Sequence, residues 1–383
     1  MEHATQVALA RELLGYIDTG TTCVADNLMH NNISTYTNPE QFAREKEILF
    51  RQHPLMLGFS AQLREPGDHI VNQDTEVPVL MVRNRQGRVN AFINVCRHRG
   101  AMLTQEPCGH TKKTFTCPYH AWSYDLDGKL VGIPDRYGFD DLNIDDYGLV
   151  PLPVAERHGM IWVQTTPGTA FDIDNYLGDA SKDLAGYGVE NYHLYGQRVL
   201  TPAMNWKLVS DTFWEIYHIP ALHKRTIGPL FQPNLAALET FGPHHRVFAC
   251  KKSIVELRQK PEAEWNVIPH GTILYSLFPN TVFIMQGDHI EIFQIFPKDG
   301  KIDESIMYIT VLVPQEPADE RAVKHWDANI KLLMDTLDED FTTGAGIQKG
   351  FASGAQERVV YGRYEAGLNH FHSSIRRALG IAA

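Results

Sequence analysis

The chain contains the segment Cys96-Arg97-His98-Arg99-Gly100 and, further on, the segment Cys117-Pro118-Tyr119-His120-Ala121-Trp122. Each segment supplies one cysteine thiolate and one histidine imidazole, in the patterns C-x-H and C-x-x-H. Two thiolates and two imidazoles can hold a [2Fe-2S] cluster or a tetrahedral structural zinc ion. Zinc fingers usually keep the two cysteines together and the two histidines together, whereas each segment here contributes one of each, which favours the cluster.

Short strands and glycine turns are predicted around both segments. Residues 79–83 and 88–95 form a predicted hairpin that turns at Gly87 and leads into the first segment. Residues 113–116 form a strand that enters the second segment, and 123–131 form a further hairpin around Asp127-Gly128. We therefore expect a small β domain that presents the four ligands from two loops.

The flanks of the two segments resemble the cluster-binding loops of Rieske proteins, which implies that Cys96, His98, Cys117 and His120 hold a Rieske [2Fe-2S] cluster. The intervening residues Cys108 and His110 repeat the C-x-H pattern without these flanks. We interpret them as ordinary polar residues of the connecting loop.

Composition limits the class of protein. The chain has 383 residues and 43% hydrophobic content, enough to bury a large core and to form two domains. The net charge of -11 argues against a nucleic-acid partner, and no apolar run reaches the length of a transmembrane helix. Residues 1–26 lack a secretory pattern and the five cysteines suggest no disulfide framework, so we expect a cytoplasmic protein.

The pattern divides the chain into three parts: an N-terminal helical segment (1–54) that packs with the catalytic domain, a β domain (55–166), and a mixed domain (167–383). The mixed domain is predicted to be α+β, with an antiparallel sheet followed by a long helix over 317–343. Its predicted strands are 272–278, 282–286, 290–296 and 305–313. The apolar stripe of the helix is Val323, Trp326, Ile330, Leu333 and Leu337.

A second cluster of ligand-type residues follows Asn205-Trp206-Lys207. If 211–219 is helical, Asp211, Glu215 and His218 share one side, which makes the two acids candidate catalytic residues. Pro220 would interrupt the helix and let His223 return beside His218. Two imidazoles with one carboxylate form the facial triad that leaves coordination positions open on non-haem Fe(II).

This second segment resembles the mononuclear-iron motif of the Rieske non-haem iron ring-hydroxylating oxygenases, in their alpha (oxygenase) subunit. The resemblance implies that His218 and His223 are iron ligands and that Asp340 is the third. It also implies that Glu215 links an iron histidine to a cluster histidine of the neighbouring subunit. The neighbouring acids Asp335, Asp338 and Glu339 remain alternatives for the third ligand, or are solvent-facing charges.

The family implies a catalytic domain of the helix-grip type and a terminal oxygenase that uses O2 and a mononuclear Fe(II). Such an enzyme hydroxylates or oxidatively demethylates a small aromatic, alicyclic or quaternary ammonium substrate. Glutamate at position 215, where many members carry aspartate, also occurs in relatives that resemble carnitine monooxygenases. No dinucleotide-binding G-x-G-x-x-G follows a predicted strand, so a separate NAD(P)H-dependent reductase is implied, with a ferredoxin as a further carrier. A homotrimer is the implied assembly.

Two other functions remain open from the sequence: a Rieske electron carrier without oxygenase chemistry, and a zinc-stabilised ligand-binding protein. An oxygenase needs a substrate pocket, and fewer than half of the apolar candidates are expected to line it. These candidates are Phe213, Trp214, Tyr217, Leu222, Leu274, Phe278, Phe283, Met285 and Phe293.

Overall fold

The computed structural model describes residues 1–381 of the chain. The helices are α1 (His3–Thr19), α2 (Ser34–Thr37), α3 (Pro39–Leu49), α4 (Ile173–Leu177), α5 (Ala180–Ala185), α6 (Trp206–Asp211), α7 (Ile219–Leu222), α8 (Glu320–Phe351) and α9 (Ala366–Ala378). The strands are β1 (Met29–Asn32), β2 (Leu55–Phe59), β3 (Asp68–Asn72), β4 (Val79–Arg83), β5 (Val89–Ile93), β6 (Cys108–His110), β7 (Thr114–Thr116), β8 (Ser123–Asp125), β9 (Leu130–Gly132), β10 (Pro151–Leu152), β11 (Val154–Arg157), β12 (Met160–Val163), β13 (His193–Leu200), β14 (Phe231–Phe241), β15 (His244–Lys251), β16 (Gly271–Leu277), β17 (Thr281–Met285), β18 (Ile290–Pro297), β19 (Ser305–Val313) and β20 (Arg358–Tyr361).

The smaller compact unit comprises residues 46–176 and 189–191, and is wider at both ends than the predicted β domain. Its sheets have the orders β10-β5-β4-β3-β6, β11-β12-β2 and β7-β8-β9. The predicted hairpins are present as β4–β5 and β8–β9. Gly87 and Gly128 turn them with φ of 76° and 79°, a backbone conformation that glycine adopts without steric cost.

The larger unit comprises residues 1–45 and 177–188 and the chain from residue 192. Its main sheet has the order β13-β19-β18-β17-β16-β15-β14, and each pairing in it is antiparallel. The four predicted strands correspond to β16–β19, whereas β13, β14 and β15 were missed. The small β unit and this antiparallel sheet with its long helix confirm the predicted α+β class.

The long helix α8 packs part of its apolar stripe on β19, the strand next to the sheet edge. Trp326 and Ile330 form a buried cluster with Val311 and Val313 of β19, which removes apolar surface from water. Val323 in the first turn is 40% exposed, so the predicted stripe begins one turn later. Asp319 caps the helix, because its side chain accepts a hydrogen bond from the Ala322 amide. Among residues 1–381, none of the helices combines the length and the apolar character needed to cross a membrane.

Candidate metal centres and active-site cavity

The two cysteine-histidine loops of the small unit have the same local geometry. In the first loop the Cys96 amide donates to Ala101 O (2.8 Å) and the Gly100 amide donates to Cys96 O (3.0 Å). The corresponding bonds of the second loop are Cys117 N to Trp122 O (2.8 Å) and Ala121 N to Cys117 O (3.0 Å). Each loop therefore closes as a tight turn that buries its cysteine and projects its histidine two or three residues later.

The two loops bring their histidines together. The ring centroids of His98 and His120 lie 4.7 Å apart, and Trp122 stacks on His98 at 4.7 Å. Burial lowers the pKa of His98, which keeps its imidazole neutral at physiological pH. Within residues 1–381 the buried Nδ1 of His98 has no hydrogen-bond partner. A buried polar nitrogen without a partner is costly, so this atom fits a metal-ligand role.

Both cysteines of the loops are buried free thiols in one core cluster, and Cys96 Sγ lies 3.3 Å from the Tyr124 hydroxyl. Two cysteine thiols and two histidine imidazoles are the donor set of a Rieske cluster, so the residues present fit that group. By contrast, Cys108 and His110 lie exposed on β6, where His110 Nδ1 contacts Asp68 at 2.9 Å. They lie on a strand and not, as interpreted from the sequence, in a connecting loop.

The second motif folds differently from the predicted continuous helix. Helix α6 ends at Asp211, residues 212–218 are not helical, and the short helix α7 begins at Ile219. The condition that 211–219 is helical is therefore not met. Pro220 lies in the first turn of α7, where its missing N–H is tolerated, and so it starts a helix instead of interrupting one.

Three side chains nevertheless converge: two from the residues that flank α7 at either end, and one from α8. The ligand atoms of His218, His223 and Asp340 all lie within 4.8 Å of one another. Asp340 Oδ1 is 3.1 Å from His223 Nε2 and 3.6 Å from His218 Nε2. Both Nε2 atoms thus face the same carboxylate, an arrangement that fits one metal ion bound by two imidazoles and one carboxylate.

The Nδ1 atoms of the same imidazoles are occupied by two further carboxylates. His218 Nδ1 contacts Glu215 Oε1, and the Glu215 side chain also accepts a bond from the His218 amide (3.1 Å). His223 Nδ1 contacts Glu339 Oε2 at 2.7 Å, and Thr226 Oγ1 donates to the same oxygen at 2.8 Å. Burial alone would lower the pKa of His223, but its two acidic neighbours raise it. The Nδ1 contacts orient each ring so that Nε2 points to the metal position.

Glu339 is the functional residue that the sequence did not single out. The sequence indicates only an alternative ligand or a solvent-facing charge at this position, whereas the structure places the Glu339 carboxylate against Nδ1 of His223. The sequence feature that could have indicated this role is the position of Glu339 next to Asp340. Two adjacent acids of one helix can contact two edges of the same imidazole ring.

Asp211, the other predicted catalytic acid, lies in a buried polar network beside the triad. Its carboxylate accepts from the Tyr36 hydroxyl and contacts His372 Nε2 at 2.8 Å, and the Tyr361 hydroxyl lies 3.4 Å away. Asp211 lines a small cavity that Glu215, His218 and Asp340 also line. Its contacts are those of a residue that supports the site and not of a fourth ligand.

A cavity of about 510 Å³ opens onto the triad and onto one face of the sheet. Of the nine predicted pocket residues, Phe213, Leu274 and Phe293 line it. Successive strand residues point to opposite faces, so Ile284 lines the cavity while its neighbours Phe283 and Met285 belong to the buried core on the other face. Four other predicted pocket residues do not line this cavity. Trp214 and Phe278 are buried elsewhere in the core, and Tyr217 is 54% exposed. Leu222 lines the small cavity.

Comparisons with known proteins agree with both sites. The family described as Rieske [2Fe-2S] domain matches residues 53–143, and the family described as Ring hydroxylating alpha subunit (catalytic domain) matches residues 189–381. A cluster domain joined to a non-haem iron domain defines the class of Rieske oxygenases. The chain belongs to the family of ring-hydroxylating oxygenase alpha subunits, since the catalytic match alone covers half of it.

Curated relatives include the glycine betaine monooxygenase oxygenase subunit of Chromohalobacter salexigens, 27% identical over 88% of this chain and 82% of the relative. The chlorobenzene dioxygenase alpha subunit of a Cupriavidus species is 34% identical over 48% of this chain and 42% of the relative. A solved quaternary ammonium Rieske monooxygenase, in complex with an inhibitor, superposes with a TM-score of 0.80 at 21% identity, over 92% of this chain and 96% of that structure. This structural likeness shows the shared fold.

The protein is therefore a Rieske-type oxygenase component, whose cofactors are the [2Fe-2S] cluster and a mononuclear iron. It works with O2, an organic substrate and a separate reductase. An electron carrier that uses only the cluster does not account for the match over 189–381, and a zinc-stabilised binding protein does not account for the Rieske match.

Proposed function

We propose that this oxygenase hydroxylates or oxidatively demethylates a small organic substrate bound in the 510 Å³ cavity. The observation that carries the proposal is the convergence of His218, His223 and Asp340 at the wall of that cavity. Fe(II) bound at these three residues would supply the activation of dioxygen. Hydroxylation of a C–H bond consumes O2, two protons and two electrons and releases water, and the electrons come from the reductase.

The side chains of this protein have distinct parts in the reaction. His218 and His223 would bind the iron through Nε2 and Asp340 through its carboxylate, while Glu215 and Glu339 hold the two rings in orientation. The apolar wall, which includes Leu274, Ile284 and Phe293, would exclude water and position the substrate beside the metal.

The substrate classes that we propose are aromatic, alicyclic and quaternary ammonium compounds. Among the described residues, the aromatic side chains of the cavity are Phe213, Phe231 and Phe293. Phenylalanine faces can pack on an aromatic or alicyclic ring and can also attract a methylated ammonium group. The relatives named above act on glycine betaine and chlorobenzene, which supports this range.

Electron transfer is proposed to occur between neighbouring subunits of a homotrimer, with Glu215 as the bridge between His218 and a cluster histidine of the next subunit. Each site reaches the surface of its own unit: His120 is exposed with Tyr119 beside it (57%), and Tyr217 next to His218 is 54% exposed. His120 is thus open to another subunit, and the His218 side chain, which is 22% exposed, lies just below the surface. A cytoplasmic location and a ferredoxin as an additional carrier complete the proposal.

The test is to measure iron and acid-labile sulfide in anaerobically purified protein. About three irons and two sulfides per chain, with a Rieske electron paramagnetic resonance signal after reduction, are expected for the two-site oxygenase. The variant His218→Ala should keep about two irons with the cluster signal and lose substrate-dependent O2 uptake with a surrogate reductase. A wild-type protein that contains zinc without sulfide would overturn the proposal.

Glu215 is tested separately by stopped-flow reoxidation of the pre-reduced cluster. Glu215→Gln should retain both metal sites and the trimer but slow cluster reoxidation by about tenfold or more, because the charged bridge is lost. Glu215→Asp keeps the charge with a shorter reach and serves as the matched comparison. Unchanged reoxidation in Glu215→Gln would contradict the bridging role.

A further inference from the structure

The cavity has a polar end that is separate from the metal triad. Alternate residues of four adjacent strands point into the cavity from the sheet. They form an apolar part, with Ala249, Leu274, Ile284 and Phe293, and a polar part at the strand ends, with Lys251, Thr272, Gln286 and Glu291. Asp288 and His289, in the turn between β17 and β18, complete the polar end.

This polar end lies far from the triad along α8. The helix lines the cavity from Asn329 to Asp340, and about 1.5 Å of rise per residue places these two positions about 16 Å apart. His325, one turn before Asn329, contacts Asp288 Oδ2 at 3.1 Å, which fixes the polar end at this part of the helix. A ligand bound there can extend its other end toward the metal position.

The two acids of the polar end already have partners. His289 contacts Asp288 through Nδ1 (2.7 Å) and Glu291 through Nε2 (3.2 Å). Glu291 also accepts from Gln286 Nε2 (3.1 Å), and Asp288 from His325. Burial alone would lower the pKa of His289, but the hydrogen bonds that its ring donates to the two acids raise this pKa to about 9. His289 is therefore a cation that offsets their charge.

Lys251 is left as the cation without a partner. Its side chain is half-buried in the cavity wall beside Phe231, the residue paired with it on β14. In the described chain, Lys251 Nζ makes neither a hydrogen bond nor an ion pair, although Asp288 and Glu291 act on it from a longer range. Burial lowers its pKa despite these two acids, which reflects an ammonium group poorly solvated in the free cavity.

We propose that Lys251 Nζ binds the carboxylate of the substrate, so that the substrates of this enzyme are organic carboxylates with an apolar body directed toward His218 and His223. The inference rests on the proposed function and names the substrate class of the same cavity. A half-buried ammonium whose acidic neighbours are already paired gains its strongest charge-assisted hydrogen bond from an incoming anion, in which both partners are charged. The apolar part, with Leu274 and Ile284, would cover the hydrocarbon portion of that ligand.

Two kinds of molecule share this chemistry: a zwitterion that carries a quaternary ammonium group, and an uncharged hydrocarbon with a carboxylate. Three probes separate them: γ-butyrobetaine, its carbon isostere 5,5-dimethylhexanoate, and the longer 6-phenylhexanoate. The amides of the latter two acids are probes without the anion. Binding is measured by calorimetry on the anaerobic oxidised holoenzyme, where no turnover occurs.

At least one of the three carboxylates should bind the wild type more tightly than the corresponding uncharged probe. That probe is the compound's own amide for the two hydrocarbon acids, and the amide of 5,5-dimethylhexanoate for γ-butyrobetaine. Lys251→Met should weaken the binding of that carboxylate by about tenfold to a hundredfold and leave the binding of the amides unchanged, because only the anion loses a charged partner. Lys251→Arg should retain most of the affinity. Lys252→Met is the matched control, because Lys252 is exposed and lies outside the cavity lining. Preference for γ-butyrobetaine over its isostere would identify the zwitterion.

The inference is overturned if Lys251→Met binds the carboxylates as tightly as the wild type, if the amides bind as tightly as the acids, or if no carboxylate binds. Failure of the proposed function looks different. It would appear as missing mononuclear iron or absent reductase-driven O2 uptake, while Lys251-dependent binding of the carboxylate persisted.

Discussion

Replacing Glu339 with glutamine should weaken the mononuclear iron site without disturbing the fold. Glu339 Oε2 is the acceptor for both His223 Nδ1 (2.7 Å) and Thr226 Oγ1 (2.8 Å). The hydrogen bond from His223 holds the pKa of Glu339 below its usual range, so the carboxylate is charged when the ring is oriented. A neutral amide keeps the shape but weakens the bond and lowers the basicity of Nε2. Loss of such an orienting group typically costs ten- to a hundredfold in metal affinity, or about 1.4 to 2.7 kcal/mol.

The assay is competition for Fe(II) between the protein and a chromogenic chelator under anaerobic conditions, with the visible spectrum of the cluster as an internal reference. Asp338→Asn is the matched control, since Asp338 is the preceding residue of α8 and is exposed. We expect faster and more complete iron loss from Glu339→Gln only, with an unchanged cluster spectrum and denaturation midpoint. Equal iron retention by Glu339→Gln and the wild type, or equal loss from Asp338→Asn, would refute the orienting role.

Three further predictions concern other parts of the chain. His98→Asn should abolish the visible absorbance of the cluster because it removes the buried unpartnered nitrogen, whereas His110→Asn should preserve that absorbance. Equal spectra for the two variants would argue against His98 as a cluster ligand. Lys207→Met should destabilise the larger unit by about 3 to 5 kcal/mol in chemical denaturation, since it leaves the fully buried Glu45 carboxylate without its charged partner; a loss under 1 kcal/mol would contradict this. The pKa of His289 is raised to about 9, so its protonated form stabilises the fold. This contribution to the free energy of unfolding is complete below about pH 6.5, and up to about 3 kcal/mol of it should be lost as the pH rises through 9. His289→Gln should flatten this pH dependence of the unfolding free energy. Parallel curves of unfolding free energy against pH for the variant and the wild type would exclude His289 as its origin.

The sequence contains enough information to identify the four cluster ligands and the two iron histidines, because each of them lies in a short local motif. The two loops around Cys96 and Cys117 are closed by hydrogen bonds within five residues, so their geometry depends on neighbouring sequence. The hairpins that turn at Gly87 and Gly128 were predictable for the same reason. Asp340 lies far from the histidines in sequence, and the family resemblance, not local spacing, singled it out.

The elements that the sequence did not predict correctly lack such a local pattern. Strand β13 lies at the sheet edge and is largely exposed, so it lacks the apolar alternation that marks a strand. Strand β15 is buried but begins with His244, His245 and Arg246, whose polarity hides it. The helix predicted over 211–219 failed because the network that holds Asp211 comes from distant segments, and no local pattern reports such contacts.

Helix α8 connects the metal site to the substrate cavity through adjacent residues. Asp340 faces Nε2 of His223 at 3.1 Å and Glu339 contacts Nδ1 of the same ring at 2.7 Å, so one helix holds the imidazole at two edges. The same helix lines the cavity from Asn329 onward. Because an α-helix moves nearly as a rigid rod over such a length, a ligand that displaces its cavity-lining part would change both contacts of His223 together. Helix α8 therefore contributes both to the triad and to the cavity wall that runs from the triad toward the polar end around Lys251.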